Sequence, residues 1–144
     1  MVRRPLLGPR GPAVVVFFCG WELVALAGGR VPPVTTLTFE HDGLIIGLAH
    51  GHQAGFGSGD PRAKIDRWWR GQMAGQQPIG DADILITGHY HHPWMQMIGR
   101  RTHFGCPALD GGSDWFRNTA GVDSPPGVLT FAVTGDGWSH FQLL

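Results

Sequence analysis

The sequence predicts an α/β domain in which a strand, a helix and a second strand form a parallel βαβ unit. Three observations support this: a mostly apolar run from Leu44 to Ala49, apolar residues at helical spacing after Pro61, and a short apolar run from Asp83 to Thr87. A short apolar run of this kind is typical of a strand buried on both faces. Because parallel neighbours need a crossover connection, the helix between the two runs completes the unit.

The first 33 residues lack this regularity. Their apolar run from Ala13 to Gly29 contains Glu22 and has 17 residues, fewer than the roughly 20 that a membrane helix needs. We therefore expect residues 1–33 to be foreign to the domain or poorly ordered, and residues 34–144 to form the domain. One alternative is a buried strand or helix. Another is a secretory signal, since arginines precede the run and Ala25-Leu26-Ala27 resembles a cleavage site.

Regular elements begin at Val34. The stretch from Val34 to Glu40 alternates well enough for a strand, and His41-Asp42-Gly43 indicates a turn, so a hairpin with Leu44–Ala49 is expected. Asp60 followed by Pro61 is typical of an N-cap with proline at the first helical position. The apolar spacing then predicts a helix from Pro61 to Met73.

The remainder of the chain predicts antiparallel β structure, because short apolar segments alternate with glycine-containing turns. The expected strands are Trp94 to Ile98, Thr102 to Cys106, Gly127 to Thr134 and Trp138 to Leu143. Gly99-Arg100-Arg101 and Gly135-Asp136-Gly137 are the expected hairpin turns.

Composition excludes several classes of protein. Eleven Lys and Arg balance eleven Asp and Glu, so the basic surface of a dedicated nucleic-acid binder is missing, although a nucleic acid or nucleotide could still be a substrate. Two cysteines, Cys19 and Cys106, lie far apart and cannot build a disulfide framework or a four-cysteine zinc site. They indicate a reduced, cytoplasmic setting, and no membrane partner is expected.

Five of the eight histidines fall into two clusters. His50 and His52 flank a glycine directly after the first apolar strand, and residues 88–92 read Gly-His-Tyr-His-His directly after the second. If these strands are parallel neighbours, their carboxyl ends open on one edge of the sheet, where α/β sheets place their sites. Imidazole is a common ligand for zinc, iron and manganese. We therefore predict a metal site whose ligands are His50, His89 and His91, with His52 and His92 as additional candidates.

The other three histidines, His41, His103 and His140, are interpreted as polar surface residues because each stands alone. The tryptophans could stack on a nucleobase. Their spacing more often indicates core residues, and we expect that role for them here.

The two histidine clusters resemble motifs of a known family. Residues 48–52, Leu-Ala-His-Gly-His, and residues 86–91, Ile-Thr-Gly-His-Tyr-His, are similar to the fourth and fifth motifs of the calcineurin-like metallophosphoesterases. Residues 108–113, Ala-Leu-Asp-Gly-Gly-Ser, and the closing strands resemble the end of the domain in phage-type and actinobacterial members. The likeness covers roughly residues 34–144, as the carboxyl-terminal part of such a domain.

This resemblance implies a four-layer αββα sandwich, of which the chain would contain part, with a β-rich carboxyl-terminal half. It also implies two divalent metal ions, manganese, zinc or iron, bridged by an aspartate and by a hydroxide that attacks phosphorus. Carried over by motif, His50 and His89 would bind one metal and His91 the other.

The family's amino-terminal motifs are missing from the sequence. No Asp-x-His occurs, and the nearest matches to Gly-Asp-x-x-Asp, at Asp60 and Asp81, have Ala63 and Ile84 at the final acid. The single asparagine, Asn118, is followed by threonine rather than histidine. We therefore expect a truncated reading frame, whose protein chain binds one metal or none.

The preferred interpretation is a truncated, weak or inactive metal-dependent phosphoester hydrolase, to which a separate amino-terminal chain could supply the missing ligands. A non-catalytic metal- or partner-binding remnant is the first alternative. An exported protein with an amino-terminal signal is the second.

Overall fold

A computed structural model describes residues 13–17, 36–55, 59–109, 118 and 125–144. Short 3₁₀ turns occupy His52–Ala54 and Pro78–Asp81. The described elements are, in chain order, strands β1 (Ala13–Phe17), β2 (Thr36–His41) and β3 (Leu44–Ala49), helix α1 (Pro61–Ala74), and strands β4 (Ile84–Thr87), β5 (Trp94–Ile98), β6 (Arg101–Gly105), β7 (Leu129–Thr134) and β8 (Gly137–Leu143).

The described strands form two sheets. One has five strands in the order β2-β3-β4-β6-β5, and the other has three in the order β1-β7-β8. Strands β3 and β4 are parallel neighbours, with Ala49 paired to Thr87, and α1 connects them along the chain. The predicted parallel βαβ unit is confirmed.

A side chain fixes the register of this parallel pair. The backbone N–H of Ile45 donates to Asp83 Oδ2 at 2.8 Å, and the N–H of Asp83 donates to the Ile45 carbonyl at 2.7 Å. Asp83 therefore aligns the amino-terminal end of β4 on β3, opposite to the end that carries the histidines.

Helix α1 begins at the predicted residue and ends at Ala74, one residue beyond the predicted Met73. Asp60 is extended and its side chain accepts the N–H of Arg62 at 3.0 Å, while Pro61 occupies the first turn, where a missing N–H costs nothing. The helix buries Ile65 and Trp69, which lie four residues apart and so share one face. Trp69 Nε1 donates to the Ile79 carbonyl at 2.8 Å, which satisfies the buried indole.

Each face of the five-stranded sheet covers a separate core. On one face, α1 and the second 3₁₀ turn pack on Ala49, Leu85 and Ile98. On the other, apolar residues of the two sheets pack together: Ile46, Ile84, Ile86 and Phe104 against Leu129, Phe131 and Val133. Helix, five-stranded sheet and three-stranded sheet are thus three successive layers, which agrees with the predicted α/β sandwich.

The β-rich carboxyl-terminal half is present, but one part of its predicted pairing is wrong. The β5–β6 and β7–β8 hairpins are antiparallel as expected, whereas β6 also pairs with β4 in parallel. The reason is topological. The chain leaves β4, returns along the sheet edge as β5, and turns back into the gap, so β6 must run in the direction of β4.

Residues 13–17 of the amino-terminal segment form β1, which pairs antiparallel with β7. The remainder of residues 1–33, including the expected signal cleavage site, lies outside the described residues. The boundary after Pro33 stays a prediction. No described helix has the length and apolar character needed to cross a membrane.

Candidate metal centre

The two predicted histidine clusters lie in loops at one edge of the five-stranded sheet. His50 directly follows β3, and His89 comes two residues after β4. Because Ala49 and Thr87 are register partners, the two loops leave the sheet side by side. The parallel pairing therefore produces the predicted convergence of the clusters.

Three imidazole rings gather at this edge. The ring centres of His50 and His89 are 4.9 Å apart, those of His50 and His52 5.1 Å, and those of His52 and His89 6.3 Å. Two imidazoles on one tetrahedral zinc, with bonds of about 2.0–2.1 Å, have ring centres roughly 5 Å apart. The spacing of the ring centres and the donor chemistry are therefore those of a metal site.

The ring nitrogens do not yet converge on one point. Nδ1 of His50 and Nδ1 of His52 are 2.9 Å apart, so one ring donates a hydrogen bond to the other. Among the described residues, no group of three or more His, Cys, Asp or Glu side chains is arranged to hold a metal. Binding would require these two rings to turn from each other, and the ligand set stays a prediction.

The two remaining candidate ligands occupy different surroundings. His91 is near enough to influence the pKa of both His50 and His89, and its Nδ1 atom is inaccessible to solvent. His92 lines an open cleft of about 210 Å³ beside the amino-terminal end of α1, together with Asp60, Pro61, Arg62, Pro93 and Trp94.

The site favours neutral imidazole, which is the form that binds metals. Burial, followed by the influence of His52 and His91, lowers the pKa of His50. Burial is again the first cause at His89, and together with His50, His52 and His91 it lowers the pKa of His89 to about 4. Several imidazoles placed together resist protonation because each new positive charge repels the others.

The backbone of the second loop is strained at two histidines. His89 and His91 have φ values of 69° and 58°, a region that non-glycine residues adopt at a cost of about 1–3 kcal/mol each. The Gly88 carbonyl accepts the N–H of Tyr90 at 2.8 Å, so His89 is the central residue of a three-residue γ-turn. Such strain is concentrated at functional sites in proteins.

Close packing joins the two loops. Gly51 has a φ of 109°, and a Cβ atom there would lie 3.0 Å from the Gly88 carbonyl oxygen and 3.1 Å from His89 Cβ. The Tyr90 hydroxyl donates to the Gly55 carbonyl at 3.1 Å. The glycine after His50 thus lets the loops touch, and Tyr90, which the sequence did not single out, ties them together.

The interpretation of His103 as a surface residue is wrong. It is fully buried in β6, whereas His140 is exposed as expected. His103 Nε2 lies 2.8 Å from Thr87 Oγ1, and burial lowers the pKa of His103 to about 4, against an opposing influence of Asp66. Alternation along β6 could not have indicated this, because it places His103 on the face opposite to Phe104, and both faces are buried because β6 lies inside the sheet.

The two aspartates that come nearest to the family's Gly-Asp-x-x-Asp motif have structural roles. Asp60 caps α1 and pairs with the Arg62 side chain at 3.1 Å, and Asp81 ends a 3₁₀ turn. Asp110, within the segment that resembles the end of the family domain, lies outside the described residues.

No protein-family model and no curated protein matches the sequence. Among solved structures, vacuolar protein sorting 29 (Vps29) of Cryptosporidium parvum is similar at a TM-score of 0.52 and 22% identity, over 70% of this chain and 45% of that one. The chain has a metallophosphoesterase fold. It spans less than half the length of that Vps29 structure.

Two further similar structures cover more of this chain. Zinc-bound Vps29 of Entamoeba histolytica matches at a TM-score of 0.49 and 20% identity, over 88% of this chain and 77% of that one. A predicted phosphoesterase of Streptococcus pneumoniae matches at 0.48 and 18% identity, over 76% of this chain and 51% of that one. These neighbours belong to the calcineurin-like metallophosphoesterase superfamily.

Proposed function

We propose that the chain carries the histidine portion of a metallophosphoesterase site and binds one divalent metal ion through His50, His89 and His91. His52 and His92 are additional candidate ligands. The observation that carries this proposal is the gathering of the His50, His52 and His89 rings, 4.9–6.3 Å between centres, at the carboxyl edge of parallel strands. His91 is included because it is near enough to influence the pKa of both His50 and His89. Neutral imidazoles suit zinc, manganese or iron.

In this proposal the residues of the chain hold and orient the metal ion, and the ion would supply the chemistry. A bound divalent ion polarises phosphoryl oxygens and lowers the pKa of a bound water. The two loops place the imidazoles, and the strained turn at His89 fixes the direction of its ring. The resemblance implies two metals, but the bridging aspartate has no counterpart in the sequence, so we expect weak turnover or none.

The substrate class would be a phosphoester, with nucleotides and nucleic acids included. An amino-terminal chain that supplies an aspartate and an asparagine ligand is the proposed partner. The likeness to phage-type or actinobacterial members, and the cytoplasmic setting inferred from the cysteine content, stay predictions that accompany this proposal.

Calorimetric titration of the metal-free chain with Zn²⁺ and Mn²⁺ tests the proposal. We expect one ion per chain, and loss of about tenfold or more in affinity on His89→Ala or His91→Ala. His140→Ala is the matched control, because His140 is an exposed histidine on β8. Equal affinity in all three variants would show that the ion binds elsewhere.

A non-catalytic metal-binding module is the second candidate, favoured because the family's bridging aspartate has no counterpart in the sequence. Hydrolysis of bis-nitrophenyl phosphate by the metal-loaded chain separates the two functions. Turnover that disappears in His91→Ala supports the hydrolase. Metal binding without turnover supports the second candidate.

A further inference from the structure

Two buried side chains and one half-buried side chain lie at the base of the loop that carries His89, His91 and His92, here called the histidine loop (residues 88–93). Thr87 is the last residue of β4, and Trp94 is the first residue of β5. His103 lies in β6, which separates β4 from β5 in the sheet. The two residues that bound the histidine loop therefore lie on either side of His103.

His103 is hydrogen-bonded to both ends of the loop. Its Nε2 atom is 2.8 Å from Thr87 Oγ1, and the Trp94 indole Nε1 donates to its Nδ1 atom at 3.4 Å. Because the indole can only donate, Nδ1 must be the acceptor, which leaves the proton of neutral imidazole on Nε2 to be donated to the threonine hydroxyl. One tautomer thus satisfies both partners.

The surroundings hold these partners in place. His103 is 0% exposed and Thr87 1% exposed. The Trp94 indole lies directly over Gly105, where a Cβ atom would come within 2.4 Å of the ring. The Thr87 carbonyl accepts the N–H of Cys106 at 2.7 Å. Neither end of the loop can shift without disturbing β6.

Burying a polar imidazole ring costs more free energy than burying an apolar side chain of similar size. An apolar side chain would need no partners at this position, whereas a buried polar ring must have its hydrogen bonds satisfied. On the opposite face of β6, Phe104 stacks on Phe131 and provides the apolar packing. The side chain at position 103 instead joins the two strand ends that bound the histidine loop.

We propose that His103 is a positioning residue, which fixes both ends of the histidine loop and so holds His89 and His91 toward His50. The expected effect on metal binding rests on the proposed metal function. The ordering of the loop by His103 can be measured in the metal-free chain. His103 acts through its two hydrogen bonds. A substitute side chain that forms both bonds should therefore keep the loop ordered.

The test compares His103→Phe, which fills the volume but forms neither bond, with His103→Gln, whose amide can donate and accept. Phe104→Leu is the matched control, since it loosens the same strand on the opposite face. Amide hydrogen exchange of residues 88–92 is measured in the metal-free chain, and Zn²⁺ affinity is measured by titration. We expect His103→Phe to speed exchange and weaken Zn²⁺ binding, each about tenfold, with His103→Gln close to wild type.

The proposal is overturned if loop exchange in His103→Phe equals that in Phe104→Leu, or if His103→Gln behaves like His103→Phe. If His103→Phe does not fold, Thr87→Val removes one hydrogen bond at nearly constant shape, and Trp94→Phe removes the other while it keeps an aromatic ring at that position. Loop exchange as slow as wild type in both would also overturn it. Absence of Zn²⁺ binding in the wild-type chain refutes the proposed function alone, because the exchange comparison still decides the role of His103.

Discussion

Unusual backbone conformations mark both loops of the candidate metal centre. Gly51, His89 and His91 all have positive φ, and the first two meet across the gap between the loops. A side chain at position 51 would strain its own backbone and also press on the Gly88 carbonyl. Only glycine fits at position 51, because its side chain is a single hydrogen atom.

Gly51→Ala should destabilise the fold by about 1–3 kcal/mol, because the substitution combines an unfavourable φ with contact to Gly88 and His89. Urea unfolding measures the loss, and Zn²⁺ titration shows whether the loops have separated. Gly99→Ala is the control, since Gly99 also has a positive φ, 63°, but has open space where a Cβ would lie. An equal loss in both variants would mean that loop contact contributes nothing.

The buried His103 should make stability depend on pH. Its pKa is about 4 in the folded chain and near 6.5 when unfolded, so below pH 6.5 the unfolded state binds more protons. The contribution to stability is complete above about pH 6.5 and is lost as the pH falls through 4, a total of about 3 kcal/mol. Asp66, which faces His103 from α1, opposes this shift and reduces it.

Urea unfolding at intervals between about pH 7 and pH 4 measures this dependence. His103→Gln should flatten the curve, and the slope that remains would come from His50 and His89, whose pKa values are also lowered. A curve as steep in His103→Gln as in wild type would contradict the prediction.

Among the elements, helix α1 depends on its N-cap residue, Asp60, more than on its surface ion pairs. Asp60 accepts the Arg62 N–H, which would otherwise lack a partner within the helix. Asp60→Ala should therefore cost about 1 kcal/mol of unfolding free energy. Asp66→Ala, which at neutral pH removes a partly exposed i,i+4 pair with Arg70, should cost about 0.3–0.5 kcal/mol. Chemical denaturation at neutral pH of the two aspartate variants decides between them, and a reversed order would refute the capping role.

At the scale of the whole molecule, Phe104 connects the two sheets. Its ring stacks on Phe131 at 4.6 Å between centres and on Phe141 at 5.5 Å, and it meets Trp138 edge-on at 5.1 Å. It is 0% exposed. One side chain of the five-stranded sheet thus contacts two strands of the other sheet.

Phe104→Ala should destabilise the chain by about 3–5 kcal/mol, since it removes a fully buried aromatic ring and leaves a cavity between the sheets. Phe39→Ala, at a residue that is 39% exposed, should cost far less. Urea unfolding followed by tryptophan fluorescence and by far-ultraviolet circular dichroism gives both values. Two separate transitions in the wild-type chain would show that the sheets unfold independently.

The sequence by itself determined the features that depend on near neighbours. Asp60 and Pro61 start the helix through contacts within one turn, the Asp42-Gly43 and Gly135-Asp136 turns close their hairpins locally, and apolar runs mark the buried strands. The placement of the histidine clusters also followed, because each comes directly after a strand and parallel strands share an edge.

Only the tertiary structure decided features that depend on distant partners. Position 103 is buried because β6 enters the sheet between β4 and β5, and β6 runs parallel to β4 for the same reason. The mutual hydrogen bond of His50 and His52 depends on how the rings pack against the second loop. Local patterns cannot specify these features, since strand order and ring orientation are set by residues that lie tens of positions apart in the chain.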